Sequence, residues 1–203
     1  MVVLLSITSC EKDKLPKTVD QRAYAIETIG KITTVKNLPA DTIIGTNSTG
    51  QPIGAGRYSF FSLETGQWIS NADSSSTRWD LAFAGTTIRI NNATSGPGAG
   101  GAFVFSGAFE SLLSVPTDSV FRVDNHPVSY AITRGSGRAW YTYDGPTNLL
   151  TPIPGRTLVI RTATGKVAKV EILNYYRGGQ TPSATAPDSI KTRDQRFLHF
   201  RYT

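Results

Sequence analysis

A chain of 203 residues with 18% charged side chains, 10% aromatics and abundant glycine, serine and threonine can bury a core, and it is too apolar for a disordered tail. The formal charge of +6 would suit a polyanion. However, no run of more than two basic residues occurs, and nucleic-acid surfaces cluster their lysines and arginines, so no nucleic-acid partner is expected.

The chain opens on Val2-Val3-Leu4-Leu5-Ser6-Ile7-Thr8-Ser9-Cys10, an apolar run closing on small residues. It reads as the rear half of an export signal, without a basic segment before it and far too short to span a bilayer. Ile7-Thr8-Ser9-Cys10 resembles a bacterial lipobox, which makes Cys10 the expected lipidated residue. Residues 1–9 then form an export-signal remnant, 10–22 a lipidated polar tether, and 23–203 a single β domain. Cys10 is the only cysteine, so an exported domain must be held by packing alone.

Residues 23–38 alternate weakly up to a stop at Leu38-Pro39, and 41–56 read as irregular. Residues 57–69 predict a strand pair bent at Glu64-Thr65-Gly66. In 78–91, Trp79, Leu81 and Phe83 are expected on one face and Arg78 and Asp80 on the other, with Gly85 breaking the strand before Ile88 and Ile90. The glycine-rich stretch 91–101 precedes Phe103 and Phe105, and 108–113 predicts a short helix. Residues 120–124 and 129–133 read as short strands around the turn Asp124-Asn125-His126-Pro127. An aromatic segment, 139–143, leads through a proline-punctuated loop, 144–154, to a hairpin. A Gly/Pro/Ser/Thr connection, 178–187, and a last strand, 196–202, with Leu198, Phe200 and Tyr202 on one face, complete the chain.

The hairpin at 154–176 is the most legible element. Its apolar sets, Leu158/Ile160 and Ala168/Val170/Ile172, must share one face. This pairs Ile160 with Ala168 and Leu158 with Val170 and leaves Ala163-Thr164-Gly165 as the loop, with Gly165 at positive φ. Val159 and Thr157 then occupy the outer face, opposite Lys169 and Glu171.

Chemistry-bearing patterns are sparse. Gly96-Pro97-Gly98-Ala99-Gly100-Gly101 matches GxGxxG, but Pro97 lies inside it and a strand follows, so a loop shaped by positive-φ residues at a sheet edge is the better reading. No nucleophile elbow, SxxK, HxxxH or CxxC occurs, and the only histidines are His126, in a turn, and His199, in the last strand. No enzyme activity is expected. Trp140, Tyr141 and Tyr143 are either a binding wall or strand aromatics.

Several stretches together resemble the haem-binding HmuY-type lipoproteins of Bacteroidetes. These are the signal tail at Cys10, Tyr58-Ser59-Phe60-Phe61-Ser62-Leu63-Glu64-Thr65-Gly66, Arg78-Trp79-Asp80-Leu81-Ala82-Phe83, the Thr94-Ser95-Gly96 loop, the hairpin 158–176 and Phe200-Arg201-Tyr202. The resemblance implies an all-β, mainly antiparallel sandwich-type fold with little helix. It also implies a lipid-anchored protein at the cell surface of the outer membrane, which captures haem and passes it to a TonB-dependent outer-membrane receptor. Family members ligate iron with two histidines or with methionines; the one methionine of this sequence is Met1, which signal cleavage would remove. His126 and His199 are therefore the expected metal ligands, with Tyr141 or Tyr143 as fallbacks. Asn148 stands where related sequences are expected to carry a histidine, and Arg138 or Arg134 would meet the propionates. The alternative is a non-haem surface lipoprotein of the same fold that binds a glycan, another ligand or a protein.

Overall fold

The computed structural model describes residues 23–49 and 51–203. The expected signal, the tether and Cys10 lie outside the described residues. With strands numbered in chain order, six form an antiparallel sheet in the order β1 (Ala25–Ile29), β2 (Ile32–Pro39), β14 (Gln195–Tyr202), β13 (Val167–Tyr176), β12 (Arg156–Arg161) and β9 (Gly101–Ser106). A four-stranded antiparallel sheet runs β6 (Gln67–Ile69), β5 (Ser59–Ser62), β7 (Leu81–Ala84), β8 (Thr87–Ile90). Two separate ribbons pair β3 (Ile43–Thr46) with β4 (Pro52–Gly54) and β10 (Tyr141–Asp144) with β11 (Leu149–Pro152). This is the expected all-β, antiparallel architecture.

The core lies between the two large sheets. Phe61, Leu81, Phe83, Ile88 and Ile90 of the smaller sheet cluster with Val35, Leu158, Ile160, Val170, Leu198 and Phe200 of the larger. Phe200 sits at its centre, edge-on to Phe61 at 5.3 Å and tilted against Phe83 at 5.5 Å, geometries that add to simple area burial. The hairpin register is the expected one: Leu158 faces Val170, Ile160 faces Ala168, and Gly165 adopts φ +93°.

Some expectations are corrected. The outer face of the hairpin is covered: Val159 and Thr157 are buried, with Thr157 Oγ1 donating to Gly107 O and Lys169 Nζ to Phe109 O and Leu112 O. Chain segment 107–112 thus roofs this part of the sheet, and the expected helix there is one 3₁₀ turn, Phe109–Ser111. Trp79 does not share a face with Leu81 and Phe83. It precedes the strand and packs with Ile69 and Ala82 in a second, smaller cluster. Residues 41–56 and 144–154 are not plain loops, since they carry β3, β4 and β11. The expected connection at 178–187 leads into a helix that the sequence reading did not anticipate, α1 (Asp188–Asp194).

The glycine-rich stretch also differs from expectation. Gly96, Gly98, Gly100 and Gly101 are absent from the positive-φ positions; they are small because a Cβ would collide with Asn91 Oδ1 at Gly96, with Ala163 at Gly98 and with Ile90 at Gly100. Close packing, rather than phosphate binding or turn geometry, explains them.

Asp80 locks the two sheets together. Its buried carboxylate accepts from Leu63 N (2.7 Å), after β5, and from Ala163 N (2.8 Å), in the hairpin turn. Burial pushes this carboxyl above its ordinary value, against the pull of those two N–H groups.

Candidate functional site

The segment 120–133 was expected to form two strands. It makes only isolated bridges, Ala102 with Arg122 and Asn125 with Ser129. Its order comes instead from Asp124, fully buried, which accepts from Ile90 N of β8 (2.9 Å) and Ala131 N (2.8 Å). A carboxylate that draws in two backbone donors replaces ladder bonds the segment lacks. Thr94 adds a second tie: its hydroxyl donates to Asp124 O (3.2 Å) and accepts from His126 N (2.7 Å). Ala131 and Ile132 anchor the segment in the main core.

The loop held in this way presents polar and cationic groups outward. His126 is half-buried, with Nδ1 3.5 Å from the Tyr130 hydroxyl, the outer limit of a hydrogen bond. The Tyr130 ring carries the Arg134 guanidinium at 4.4 Å and the Arg89 guanidinium at 6.0 Å, and Arg89 also covers Tyr58 at 4.3 Å. Arg122, Val123, Val128, Tyr130, Arg134 and Arg138 line a pocket of about 670 Å³. A neighbouring pocket of about 360 Å³ shares Arg122, Thr133 and Arg138 with it. Among the described residues, no salt bridge joins Arg89, Arg122, Arg134 or Arg138 to a carboxylate.

The expected site residues fall into three places. Arg138 lines this arginine-rich pocket together with Arg134, whereas His126 lies in the loop between the lining residues Asn125 and Val128 and is not itself part of the lining. Tyr141, Tyr143 and Asn148 gather around a different pocket of about 370 Å³, with Leu150, Tyr175 and Arg196. There the Tyr143 hydroxyl donates to Asn148 Oδ1 (2.7 Å), and Asn148 Nδ2 donates to Asp188 Oδ2 (3.1 Å). His199 lies elsewhere again. Its neighbours Leu198 and Phe200 point into the core, so alternation turns His199 to the outward face of the six-stranded sheet, in a pocket with Ala25, Lys36 and Gly179. The structure does not bring His126 and His199 together. Sequence reasoning passed over Arg89, Arg122 and Tyr130. A usable signal was present, because residues 121–140 carry three arginines against one carboxylate, Asp124, and that carboxylate is buried.

An iron tetrapyrrole requires a nitrogen or oxygen donor, an apolar or aromatic wall and cations for its carboxylates. The 122–138 pocket offers Tyr130 with Val123 and Val128, and Arg122, Arg134 and Arg138; His126 stands beside it, against Tyr130. The residues present fit such a group with one histidine, not two. Among the described residues no group of three or more His, Cys, Asp or Glu could hold a bare metal ion.

No family model matches the sequence, and no curated protein matches it. Two solved structures are similar along most of their length. One, a protein assigned as a lipoprotein from Bacteroides fragilis, has a TM-score of 0.54 at 15% identity, over 92% of this chain and 97% of its own. The other, assigned as HmuY-like and haem-binding, is from Bacteroides vulgatus, with a TM-score of 0.50 at 14% identity over 84% of this chain and 90% of its own. The chain has the HmuY-type fold. The loop at 122–138 is where this chain gathers arginines that no carboxylate pairs among the described residues.

Proposed function

We propose that the protein binds haem in the pocket of residues 122–138, with His126 as the iron ligand and Arg122, Arg134 and Arg138 receiving the propionates. The observation that carries this reading is three guanidiniums, without a carboxylate partner among the described residues, around a pocket lined by Tyr130, with His126 beside that tyrosine. Haem is anionic through its carboxylates, apolar across its ring and ligated at iron, which matches the arginines and Tyr130 of the pocket and the histidine beside it. The haem-binding relative of the same fold supports the reading. The lipoprotein relative and the Ile7-Thr8-Ser9-Cys10 pattern support anchoring through Cys10 at the outer-membrane surface. Handover to a TonB-dependent receptor is the role that follows for a surface carrier, and no bond is made or broken.

Haemin titration tests this. A saturable Soret shift, changing on reduction with dithionite and lost in His126→Ala, is the expected result. Arg134→Ala combined with Arg138→Ala should weaken binding by roughly 10-fold or more, as each charge-assisted bond contributes about 1.5–3 kcal/mol. No saturable shift would overturn the haem reading.

The separation of His126 from His199 favours a second reading, a non-haem ligand in the same pocket. An anionic molecule without iron would use the arginines and Tyr130 and leave His126 dispensable. Binding that survives His126→Ala but fails in the double arginine variant would identify it.

A further inference from the structure

Arg156 opens β12 and does not line the 122–138 pocket. Its Nη1 donates to Ser106 Oγ of β9 at 2.9 Å. A neutral acceptor of this kind positions the guanidinium and leaves its charge unopposed. Among the described residues no salt bridge reaches Arg122, Arg138 or Arg156. All three line the smaller pocket of about 360 Å³, and no carboxylate lines it. Arginines stay protonated, so like charges gathered around one small concavity repel one another, and an anion between them relieves that repulsion.

The sheet edge adds a backbone donor. β9 is the last strand of the six-stranded sheet, and on its free side Ala102 exchanges both backbone bonds with Arg122, each at 2.9 Å. Backbone groups two residues apart in an antiparallel strand point to the same side. The Val104 N–H therefore also turns away from β12, past the end of that bridge, where no strand pairs with it among the described residues. Val104 lines the pocket, and so does Thr133, whose hydroxyl can donate. The rest of the wall is apolar. Phe103 is held edge-on to Phe121 at 5.1 Å, and Val120 is 72% exposed at the rim.

We propose that this smaller pocket is a second binding site, for a small carboxylic acid with an apolar body, an aryl or branched acid in its anionic form. A carboxylate matches the planar fork of a guanidinium with both oxygens, and the Val104 N–H and the Thr133 hydroxyl supply further donors. Phe103 and Val120 pack against the body of the acid. A cation is repelled by the three arginines, and a neutral molecule leaves them unopposed. Inorganic phosphate satisfies the arginines and leaves the apolar wall in water. The volume lies at the lower end of the range for small-molecule sites. The inference stands apart from the haem reading, because of the two pockets only this one is lined by Arg156, Phe103, Val104 and Val120.

Titration of the ¹⁵N-labelled protein with sodium benzoate, without haemin, tests this. We expect a saturable shift of the Val104 amide resonance. Benzamide keeps the ring and lacks the charge, and acetate keeps the charge and lacks the ring; each should bind roughly 10-fold more weakly or worse. Arg156→Ala should weaken benzoate by roughly 10-fold or more, while haemin affinity and the fold, read by circular dichroism, persist. Val120→Asp, at an exposed rim position, should engage the arginines with a tethered carboxylate and weaken benzoate likewise. An unmoved Val104 resonance, inorganic phosphate binding as tightly as benzoate, or native benzoate affinity in Arg156→Ala overturns the proposal.

Discussion

Asp80 and Asp124 are both buried, and each accepts two backbone N–H bonds from separate parts of the chain. Asp80 joins the turn after β5 to the hairpin turn, and the charges beside it are paired: Glu64 receives Thr162, Thr164 and Lys166. Asp124 joins β8 to the 122–138 loop, where Arg122, Arg134 and Arg138 are exposed and have no carboxylate partner among the described residues. The same local device therefore serves two ends. In the first region it closes a network, which produces rigidity. In the second it commits the one carboxylate of residues 121–140 to backbone donors, which leaves the arginines available to a ligand.

Breaking each carboxylate separately should expose that difference. Asp80→Ala strands the Leu63 and Ala163 amides in the core and should cost about 3–4 kcal/mol of global stability, because each unmet buried donor costs about 1–3 kcal/mol. Urea unfolding measures it, and a loss below ~1 kcal/mol would show that Asp80 is not the clasp. Asp124→Ala should cost less, about 2 kcal/mol, because it holds a half-exposed loop that can open locally and not a contact between the two sheets. Its larger effect should be on the ligand: faster amide exchange at Ala131 and haemin affinity weakened by at least about 10-fold. If Asp124→Ala changes stability and leaves haemin affinity intact, the loop is not the site.

The scaffold was far more legible in the sequence than the site. Leu158, Ile160, Ala168 and Val170 alternate without interruption, and period-2 patterning fixes register wherever one face is buried. Local pattern failed where distant chain decides burial. Val159 looks like an outward residue until segment 107–112 is laid over it, and Trp79 looks like strand until the chain turns at Asp80. The short strands at 43–46 and 52–54 lie on exposed ribbon whose residues carry no clear alternation. For the site, residue identity was informative and proximity was not. His126, Arg134 and Arg138 are close in sequence and converge, whereas Tyr141, Tyr143 and Asn148 form a group of their own. His199 was placed on the correct outward face by alternation, yet no pattern indicated that the strands on both sides of it bulge.

The contrast between closed and open networks extends to the two histidines. Burial holds His199 down at about 4, against an ordinary 6.5. Its folded value is depressed, so the unfolded chain takes up a proton first as pH falls. Stability should thus be fully present above pH 6.5 and decline from there toward pH 4, by up to about 2–3 kcal/mol if the shift is realised in full. Comparing unfolding free energies of the native protein and His199→Phe across pH 4–7.5 isolates this slope. Parallel curves would mean that water reaches the imidazole and that burial does not hold its proton off.

The smallest expected effect concerns Glu64, at the edge of the Asp80 network. Hydrogen bonds from Lys166, Thr164 and Thr162 hold its carboxyl down at about 2, below its ordinary 4.5. A depressed acid contributes stability above its unfolded value and loses it as pH falls through the folded one, so Glu64 should matter at neutral pH and cease to matter between about pH 4.5 and 2. Lys166 is largely exposed, so solvent screening limits the contribution to about 1 kcal/mol or less. Glu64→Gln should therefore be slightly less stable than the native protein at pH 7 and indistinguishable from it near pH 2. Salt should narrow the gap at pH 7 without closing it, because the two threonine hydroxyls are not screened as an ion pair is. A gap that vanishes in 1 M salt would assign the whole effect to Lys166 and remove Glu64 from the clasp between the sheets.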